Sequence, residues 1–556
     1  MKSNNSQTSS IVLVVTAVLT ISVIMKAAPS AVSLVQDRRT LRSSGEQAAT
    51  AHVNSGTIRE VTTTLSSKEM EGRGMAQPGG ERAANYLADK FAKAGLEPLG
   101  DESSFRQQIK IEVQTLTPDT EFKVGAHTFR FKKDFGVAQP AHTELKEVSG
   151  KIAFVGYGVV SVDLKRDDLA GVEVKDRIVI VLSGKPKGVN AKVWDKESAQ
   201  RVVFGRLIKK GAAGFIVTDD AARFPTAAAV ISNRSVSLSE PISGTTLPAR
   251  WSLELLADEF KLPPSLLISE STADQIFAGH TESFAEIKRR AEAGQFVSRP
   301  LDETASISPR VKHEKGTTSN VIGIIKGSDP KLKNEALVYT AHYDAFGIDT
   351  EGNIYAGASD NALGVGKLVA LAEAFAKLTP RPRRSIIFIA TTGEEYGNLG
   401  AAYWLQHPTF PIERIAADIN FDGSVLEVWG KLAFLLDFRF DISDLDEIVK
   451  SVAAASGIEI YPDPVPEEGF FYRSDHYAFI KKGIPAIFLM GGPAMNPNLL
   501  FARATRWQET RYHTPADVIQ TDWDWEGAKM LAEFALEAGM RIAKQEKMPK
   551  LRQAGK

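Results

Sequence analysis

Three stretches decide the fold of this chain: ALVYTAHYD (residues 336–344), RSIIFIATTGEE (384–395) and IAADINFDGS (415–424). Each is an apolar run of strand length that ends in ionisable or small polar side chains. Helical patterns follow, among them residues 362–378 and 525–544. Strands that alternate with helices predict an α/β fold with a mixed, mainly parallel sheet sandwiched by helices.

A different pattern occupies residues 145–306. The runs KIAFVGYGV, DRIVIVLSG and AAGFIVTDD are short, apolar and bounded by glycine, which predicts a β-rich module inserted into the main domain. The predicted divisions of the chain are a leader or membrane anchor (residues 1–26), a linker (27–52), the first part of the main domain (53–144), the insert (145–306), the second part of the main domain with the candidate site (307–547) and a tail (548–556).

The composition excludes several classes of protein. The 556 residues include 67 Lys and Arg against 68 Asp and Glu, so net charge does not favour nucleic acid, and we expect no nucleic-acid partner. The hydrophobic fraction of 43% and the charged fraction of 24% are those of a globular protein with a buried core. Because the chain has no cysteine, the side chains left to hold zinc or a similar metal are those of His, Asp and Glu.

The N-terminal segment carries an uninterrupted apolar run, IVLVVTAVLTISVIM, at residues 11–25, with Lys2 before it and Lys26 after it. The run is shorter than the ~20 residues that span a bilayer as a helix. Its length is typical of the apolar region of a secretory signal, which predicts a periplasmic or secreted protein. A retained membrane anchor, with the rest of the chain outside the cytoplasm, and a buried core helix are the alternatives.

Ionisable side chains lie where the predicted strands end, which is where open α/β sheets bind ligands. Taken singly, each has an ordinary structural role available, such as helix capping for Asp360. Taken together, two histidines and several carboxylates suit zinc, and a carboxylate can span two cations. A further carboxylate could then accept a proton from water. The candidates are His342, Asp344, Asp360, Glu394, Glu395, Asp422 and His513.

The segments AHYDAFG, YAGASDNALGVG, TTGEEYGNLGAAYW, NFD, RSDHYAF and YHTPAD resemble, in this order, the motifs of the co-catalytic zinc aminopeptidase family. That family includes bacterial leucyl aminopeptidases, and it shares its phosphorylase/hydrolase-like zinc exopeptidase fold with the transferrin receptor and glutaminyl cyclase. The insert resembles the protease-associated domain that many members carry, and LSSKEMEGRG resembles the family's usual opening. The resemblance covers roughly residues 55–545.

The resemblance implies two zinc ions per chain. His342 and Asp422 would bind one ion. Glu395 and His513 would bind the other, and Asp360 would bridge the pair. The family also implies a cis peptide bond directly after Asp360.

The resemblance also implies roles for residues around the metals. Glu394 would be the general base, and Asp344 would orient the first histidine ligand through its other ring nitrogen. Tyr512 would stabilise the tetrahedral intermediate. Arg473 and His476, both in RSDH, would contact the substrate.

The predicted function is that of an exported zinc aminopeptidase acting on peptides. A carboxypeptidase or dipeptidase of the same fold is an alternative, because Arg473 could bind a substrate carboxylate. A glutaminyl cyclase and an inactive binding protein are further alternatives. The insert could cover the site and limit substrate size, mediate protein contacts, or be structural only, and the oligomeric state is left open.

Overall fold

The computed structural model describes residues 44–138, 146–219, 224, 234–239, 263–466 and 469–552. The apolar run at residues 11–25, and with it the predicted leader or anchor, lies outside the described residues. In the part of the chain that is described, no helix has both the length and the apolar character required to cross a membrane.

The strands follow in chain order. They are β1 Glu97–Pro98, β2 Arg106–Leu116, β3 Glu121–Val124, β4 His127–Arg130, β5 Phe135–Ala138, β6 Val148–Phe154, β7 Val160–Ser161, β8 Arg166–Asp167, β9 Ile178–Val181, β10 Gly214–Asp219, β11 Arg234–Leu238, β12 Ser265–Ser269, β13 Arg299–Ser308, β14 Val311–Ile325, β15 Ala336–His342, β16 Gly347–Ile348, β17 Ile354–Tyr355, β18 Ser385–Thr391, β19 Ile415–Phe421, β20 Leu432–Asp437, β21 Glu459–Pro462, β22 Ala486–Leu489 and β23 Gly491–Pro493.

The helices alternate with these strands. They are α1 Ser44–Thr50, α2 Ser55–Leu65, α3 Pro78–Lys93, α4 Ala191–Ser198, α5 Gln200–Lys209, α6 Glu270–Ile276, α7 Phe284–Glu292, α8 Leu363–Ala376, α9 Leu399–Gln406, α10 Leu445–Ser456, α11 His476–Lys481, α12 Pro497–Thr510 and α13 Glu526–Lys544.

The first sheet has the order β11-β2-β14-β18-β15-β19-β22, with β1 paired to β14. Strands β18, β15, β19 and β22 are parallel, whereas β11, β2 and β14 pair antiparallel. The predicted mixed α/β fold is confirmed, and parallel pairing is confined to one half of the sheet. Every residue of β15, β18 and β19 is buried, as expected for parallel strands with both faces covered.

Helices cover both faces of this first sheet. On one face, α2, α3, α8, α10 and α13 pack over Tyr339, Phe388 and Phe421 of the central strands. On the other face, Trp404 of α9 packs against Phe479 of α11, with ring centroids 5.8 Å apart. This layering leaves the carboxyl ends of the parallel strands as the open edge of the sheet.

The second sheet has the order β4-β3-β13-β6-β9-β10-β12-β5. Helix α5 packs on one face, and α6 and α7 pack on the other. The strands of this sheet begin at Glu121, whereas the boundary predicted from the sequence is at residue 145. Strand periodicity does not reveal which strands pair, so the sequence alone could not assign β3, β4 and β5 to this sheet.

A strand pairing and an ion pair are among the contacts between these parts of the chain. Strand β11 lies within the predicted insert, but it pairs antiparallel with β2 at the edge of the first sheet. The Lys132 Nζ, in the turn between β4 and β5, lies 2.6 Å from the Glu351 Oε1, in the hairpin between β16 and β17. The predicted insert therefore contributes a strand to the edge of the first sheet, and the turn between β4 and β5 contacts the β16–β17 hairpin.

The two ends of the described chain pack on the main domain. Helix α1, within the predicted linker, contributes Glu46, whose Oε1 lies 3.1 Å from the Arg541 Nε of α13. Within the predicted tail, the carbonyl of Lys550 accepts a hydrogen bond of 3.0 Å from the Asp444 N–H.

Candidate metal centre

The carboxyl ends of the parallel strands bring the predicted ligands together. His342 is the last residue of β15, and Asp422 directly follows β19. Glu395 lies in the turn after β18, whose Thr391 pairs with His342. His513 lies in the loop between α12 and α13. Residues far apart in the sequence thus meet at one edge of the sheet.

The separations between ligand atoms are those that zinc requires. The His342 Nε2 lies 3.2 Å from the Asp422 Oδ1 and 3.3 Å from the Asp360 Oδ1. The His513 Nε2 lies 3.0 Å from the Asp360 Oδ2 and 3.4 Å from the Glu395 Oε2. Two ligands at the usual 2.0–2.1 Å from one tetrahedral zinc ion are about 3.3 Å apart. The donor types and spacing therefore fit zinc.

Asp360 faces both histidines, each with a different carboxylate oxygen. The potential ligand atoms form two groups, and within each group all the atoms lie within 4.8 Å of one another. Asp360 belongs to one group, and its Oδ1 also approaches the histidine of the other. The first group is His342, Glu394 and Asp422, and the second is Asp360, Glu395 and His513. A carboxylate placed between two such groups has the geometry of a bridging ligand.

The electrostatics of the centre favour positive charge. Burial alone would lower the pKa of His342, but the carboxylates of Asp422 and Glu394 raise it well above its usual range. Burial likewise opposes ionisation of Asp360, yet its contacts with His342 and His513 hold the pKa of this carboxyl well below its usual range. A site with this excess of carboxylates attracts cations.

The adjacent glutamates occupy different surroundings. The side chain of Glu394 keeps 11% of its surface exposed, whereas that of Glu395 keeps 1%. Burial raises the pKa of Glu394 well above its usual range, and the neighbouring carboxylates of Asp422 and Glu395 raise it further. Glu394 is therefore the member of the pair that faces the open side of the centre.

Asp344 contacts both the candidate ligand His342 and the neighbouring Glu394. Its backbone carbonyl lies 3.3 Å from the His342 Nδ1, and its Oδ1 lies 3.6 Å from the same nitrogen. The same Oδ1 accepts a hydrogen bond of 3.2 Å from the Glu394 N–H. Asp344 is fully buried, so it orients both residues without reaching the open side.

The turn that carries Asp360 spans Ala358–Ala362, and we refer to it as the Asp360 turn. The peptide bond after Asp360 is cis, as the family resemblance implies. The Asn361 Nδ2 donates to the Phe421 carbonyl at 2.9 Å, and the Asn361 Oδ1 accepts from the Gly423 N–H at 2.7 Å. A Cβ at Gly423 would lie 1.8 Å from the Ser359 carbonyl oxygen, so this close approach requires glycine. Asn361 thus ties the turn to the loop of Asp422.

Of the other predicted residues, Tyr512 lies beside a ligand of the centre and Arg473 lies beside an aromatic ring. Tyr512 is half-buried, and its ring stacks on His513 with the two centroids 3.5 Å apart. Arg473 is also half-buried, with its guanidinium carbon 5.2 Å from the centre of the Phe470 ring. Both side chains keep exposed surface that a substrate could contact.

His476 is placed differently. Its ring is fully buried and lies beside the rings of Phe471 and Phe488, with centroids 5.5 and 5.1 Å away. Burial lowers the pKa of His476 to about 3. This position offers a substrate no surface, so the predicted substrate contact of His476 is not supported by its burial.

Sequence reasoning assigned no role to three buried residues that hold the centre: Arg73, Asn361 and Asp517. All three lie inside motifs that the sequence shows, namely EGRG, ASDN and HTPAD. The available signals are a charged or amide residue beside glycine or beside a candidate ligand, for Arg73 and Asn361, and a position four residues after His513, for Asp517. Burial lowers the pKa of Arg73 to about 10, although nearby carboxylates, Asp344 foremost, oppose this.

Residues 320–539 match the model of peptidase family M28. This region belongs to peptidase family M28. The M28 region contains all five proposed metal ligands, whereas Arg73 precedes it.

Relatives of known sequence match parts of the chain. Aminopeptidase YwaD of Bacillus subtilis is 29% identical over 264 residues, which are 47% of this chain and 52% of that protein. The vacuolar membrane protease of Meyerozyma guilliermondii is 35% identical over 108 residues, which are 19% of this chain and 10% of that protein. The chain thus spans about half or less of the length of these curated relatives.

Solved structures match over most of the chain. The aminopeptidase from Aneurinibacillus sp. strain AM-1 has a TM-score of 0.52 at 17% identity, covering 89% of this chain and 95% of that one. A peptidase M28 precursor from Shewanella amazonensis SB2B has a TM-score of 0.52 at 15% identity, covering 94% and 99%. At these identities the likeness establishes the fold of the M28 family and no more.

Proposed function

We propose that this protein is an exported, zinc-dependent aminopeptidase that hydrolyses the N-terminal peptide bond of peptides. The observation that carries the proposal is the position of Asp360, whose two carboxylate oxygens each face a different histidine. A carboxylate between two sets of zinc-type ligands is what a co-catalytic metal pair needs. The names of the relatives, an aminopeptidase and a membrane protease, support peptidase activity.

We assign one zinc ion to His342 and Asp422 and a second to Glu395 and His513, with Asp360 shared between them. When bound, zinc supplies Lewis acidity, which polarises a carbonyl and lowers the pKa of water to about 7. Asp344 holds the His342 ring by the contacts to its Nδ1, and such outer contacts fix the orientation of a ligand.

We assign the general base to Glu394. Its carboxylate would take a proton from the attacking water and later pass it to the leaving amine nitrogen. Burial and neighbouring carboxylates raise the pKa of Glu394, and cations at the adjacent ligands would lower it again, so that the group is ionised at neutral pH. Tyr512 would donate its hydroxyl hydrogen to the oxyanion, and Arg473 would contact the substrate.

Export is part of the proposal and depends on the apolar run at residues 11–25. The divisions of the chain follow the two sheets. We propose that the second sheet, from β3 to β13, forms the inserted protease-associated domain. Its contacts with the main domain, through β11 and through Lys132, would set its position relative to the centre.

The test is a panel of aminoacyl anilides and short peptides, with free or acetylated α-amino groups, assayed before and after chelator treatment. We expect hydrolysis of the free-amine substrates only. Activity should fall to background with chelator and return on addition of zinc, and metal analysis should give two zinc ions per chain.

Other outcomes identify the alternatives. Equal hydrolysis of acetylated peptides, with loss of activity when the C-terminal carboxylate is amidated, would indicate a carboxypeptidase. Cyclisation of N-terminal glutamine would indicate a glutaminyl cyclase. Zinc binding without turnover of any substrate would indicate a binding protein, and activity that is unaffected by chelator would contradict the metal assignment.

A further inference from the structure

We propose that Arg73 and Asp517 are positioning residues that hold the Asp360 turn from two sides and thereby set the zinc affinity of the centre. This inference rests on the proposed dinuclear function. Neither residue faces the open side, and each is almost completely buried. Their hydrogen bonds to the turn and to its neighbours are to backbone groups. The ligand atoms of the centre therefore remain available to a metal ion.

Asp517 holds the turn through its N–H groups. Its Oδ1 accepts a hydrogen bond from the Ser359 N–H, and its Oδ2 accepts one from the Asp360 N–H, both at 3.1 Å. Its backbone carbonyl accepts a third bond, also of 3.1 Å, from the Ala358 N–H. Three consecutive N–H groups of the turn are thus bound by one residue.

Asp517 also shares a loop with a ligand. It follows His513 in the same segment, and its N–H donates to the Thr514 carbonyl at 3.1 Å. The His513 Nε2 and the Asp360 Oδ2 are 3.0 Å apart. Asp517 therefore fixes the distance between the loop of one ligand and the turn of the bridging ligand.

Arg73 holds the same region through carbonyl groups. Its Nη2 donates to the Gly357 carbonyl at 2.9 Å, and its Nη1 donates to the Ala356 carbonyl at 2.6 Å. Its Nε donates to the Tyr343 carbonyl at 2.5 Å, directly after the ligand His342. One planar guanidinium thus spans the strand end of the first histidine and the entrance to the Asp360 turn.

The segment around Arg73 is shaped to place this side chain. A Cβ at Gly72 would lie 2.5 Å from the Tyr355 carbonyl oxygen and 2.6 Å from that of Gly347. The chain can therefore approach the hairpin of β16 and β17 this closely only with glycine at position 72. The opening motif, which lies outside the M28 region, would in this way contribute to the metal centre.

The experiment is a competitive zinc titration of the purified full-length protein and its variants against a chromophoric chelator, below the unfolding temperature. Asp517→Asn keeps one acceptor oxygen, and Asp517→Ala removes both. We expect the affinity for zinc to fall about 10–100-fold with Asn, as for other outer contacts of metal ligands, and further with Ala.

Arg73→Lys tests whether the planar shape of the guanidinium group is required. It retains the positive charge but loses the planar fork, and we expect a fall in zinc affinity in the same range. The matched control is Asp168→Asn. Asp168 is a buried aspartate of the insert whose Oδ2 accepts a 3.0 Å bond from the Val159 N–H, and its loss should leave zinc affinity unchanged.

The outcomes separate the two proposals. If the wild-type protein fails to bind two zinc ions, the proposed function and this inference both fail. If the wild type binds them and the Asp517 variants fold and bind zinc as tightly as the wild type, only the inference is overturned. Should Asp517→Ala not fold, the nearly isosteric Asn variant decides. Lower thermal stability with unchanged zinc affinity would show a purely structural role and would also overturn it.

Discussion

The two large sheets both contain parallel strands, but they differ in strand order and in chemistry. Each contains a run of adjacent parallel strands: β18, β15, β19 and β22 in the first sheet, and β6, β9, β10 and β12 in the second. Each run has helices on both faces. Both groups of potential metal ligands found among the described residues lie in the main domain, at the first sheet.

The strand ends explain this difference. In the first sheet, β15 ends in His342, and Asp422 directly follows β19. In the second sheet, β6 ends in Phe154, β9 in Val181, β10 in Asp219 and β12 in Ser269, so these four strands end in one carboxylate and no histidine. Parallel strands create an edge where side chains converge, but only the residue types at that edge make it a metal centre.

The largest expected difference is between the effects on kcat of one substitution beside the first sheet and one in the second sheet. Glu394→Gln should lower kcat about 10²–10⁴-fold, because the amide cannot accept the proton of the attacking water, while the zinc content stays the same. The measurement is steady-state hydrolysis of an aminoacyl anilide together with metal analysis. The control is Glu303→Gln in β13 of the second sheet, which should leave kcat unchanged. Retention of more than about 5 per cent of wild-type kcat would contradict the role of Glu394 as the base.

The next difference concerns stability. Lys367 of α8 and Glu427 form an ion pair in which both side chains are fully buried. Removing one partner leaves a buried charge without its counterion, so Lys367→Met should lower the free energy of unfolding by about 3–5 kcal/mol.

The ion pair chosen for comparison in the second sheet unit is partly exposed. The side chains of Lys288 and Glu270 keep 31% and 34% of their surface accessible. Lys288→Met should therefore cost at most about 1 kcal/mol in the same urea unfolding experiment. If both substitutions lowered the free energy of unfolding by the same amount, the prediction that burial makes the Lys367–Glu427 pair the more important of the two would be contradicted.

The smallest expected effect depends on pH. The pKa of His476 is lowered to about 3 by burial in the folded protein. Below about pH 6.5 the unfolded chain binds a proton at this histidine that the folded chain does not. The wild type should thus lose about 1.4 kcal/mol of stability per pH unit, relative to His476→Phe, as the pH falls from 6.5 towards 3.

Urea unfolding at several pH values measures this difference. The control is Phe471→Leu, which alters the packing beside His476 without removing a titratable group, so its stability difference from the wild type should not change with pH. A constant difference between the wild type and His476→Phe over the same pH range would contradict the neutral, buried state of this histidine.

The sequence by itself determined the alternation of strands and helices, because buried parallel strands leave continuous apolar runs such as that of β15. It also determined the candidate ligands, since ionisable residues directly after such runs interrupt an otherwise apolar pattern. The family resemblance added the order of the motifs and the cis bond after Asp360, which the structure contains.

Only the tertiary structure decided which strands pair, where the second sheet begins and how the centre is held. Hydrogen bonds between strands join residues without regard to their separation in the sequence, so the pairing of β3 with β13 leaves no local pattern. Arg73 contacts the carbonyl of Gly357 at the entrance to the Asp360 turn, and Asp517 contacts N–H groups within the turn. Nearly every residue type supplies such backbone groups. Their partners could therefore be recognised only once the chain was folded.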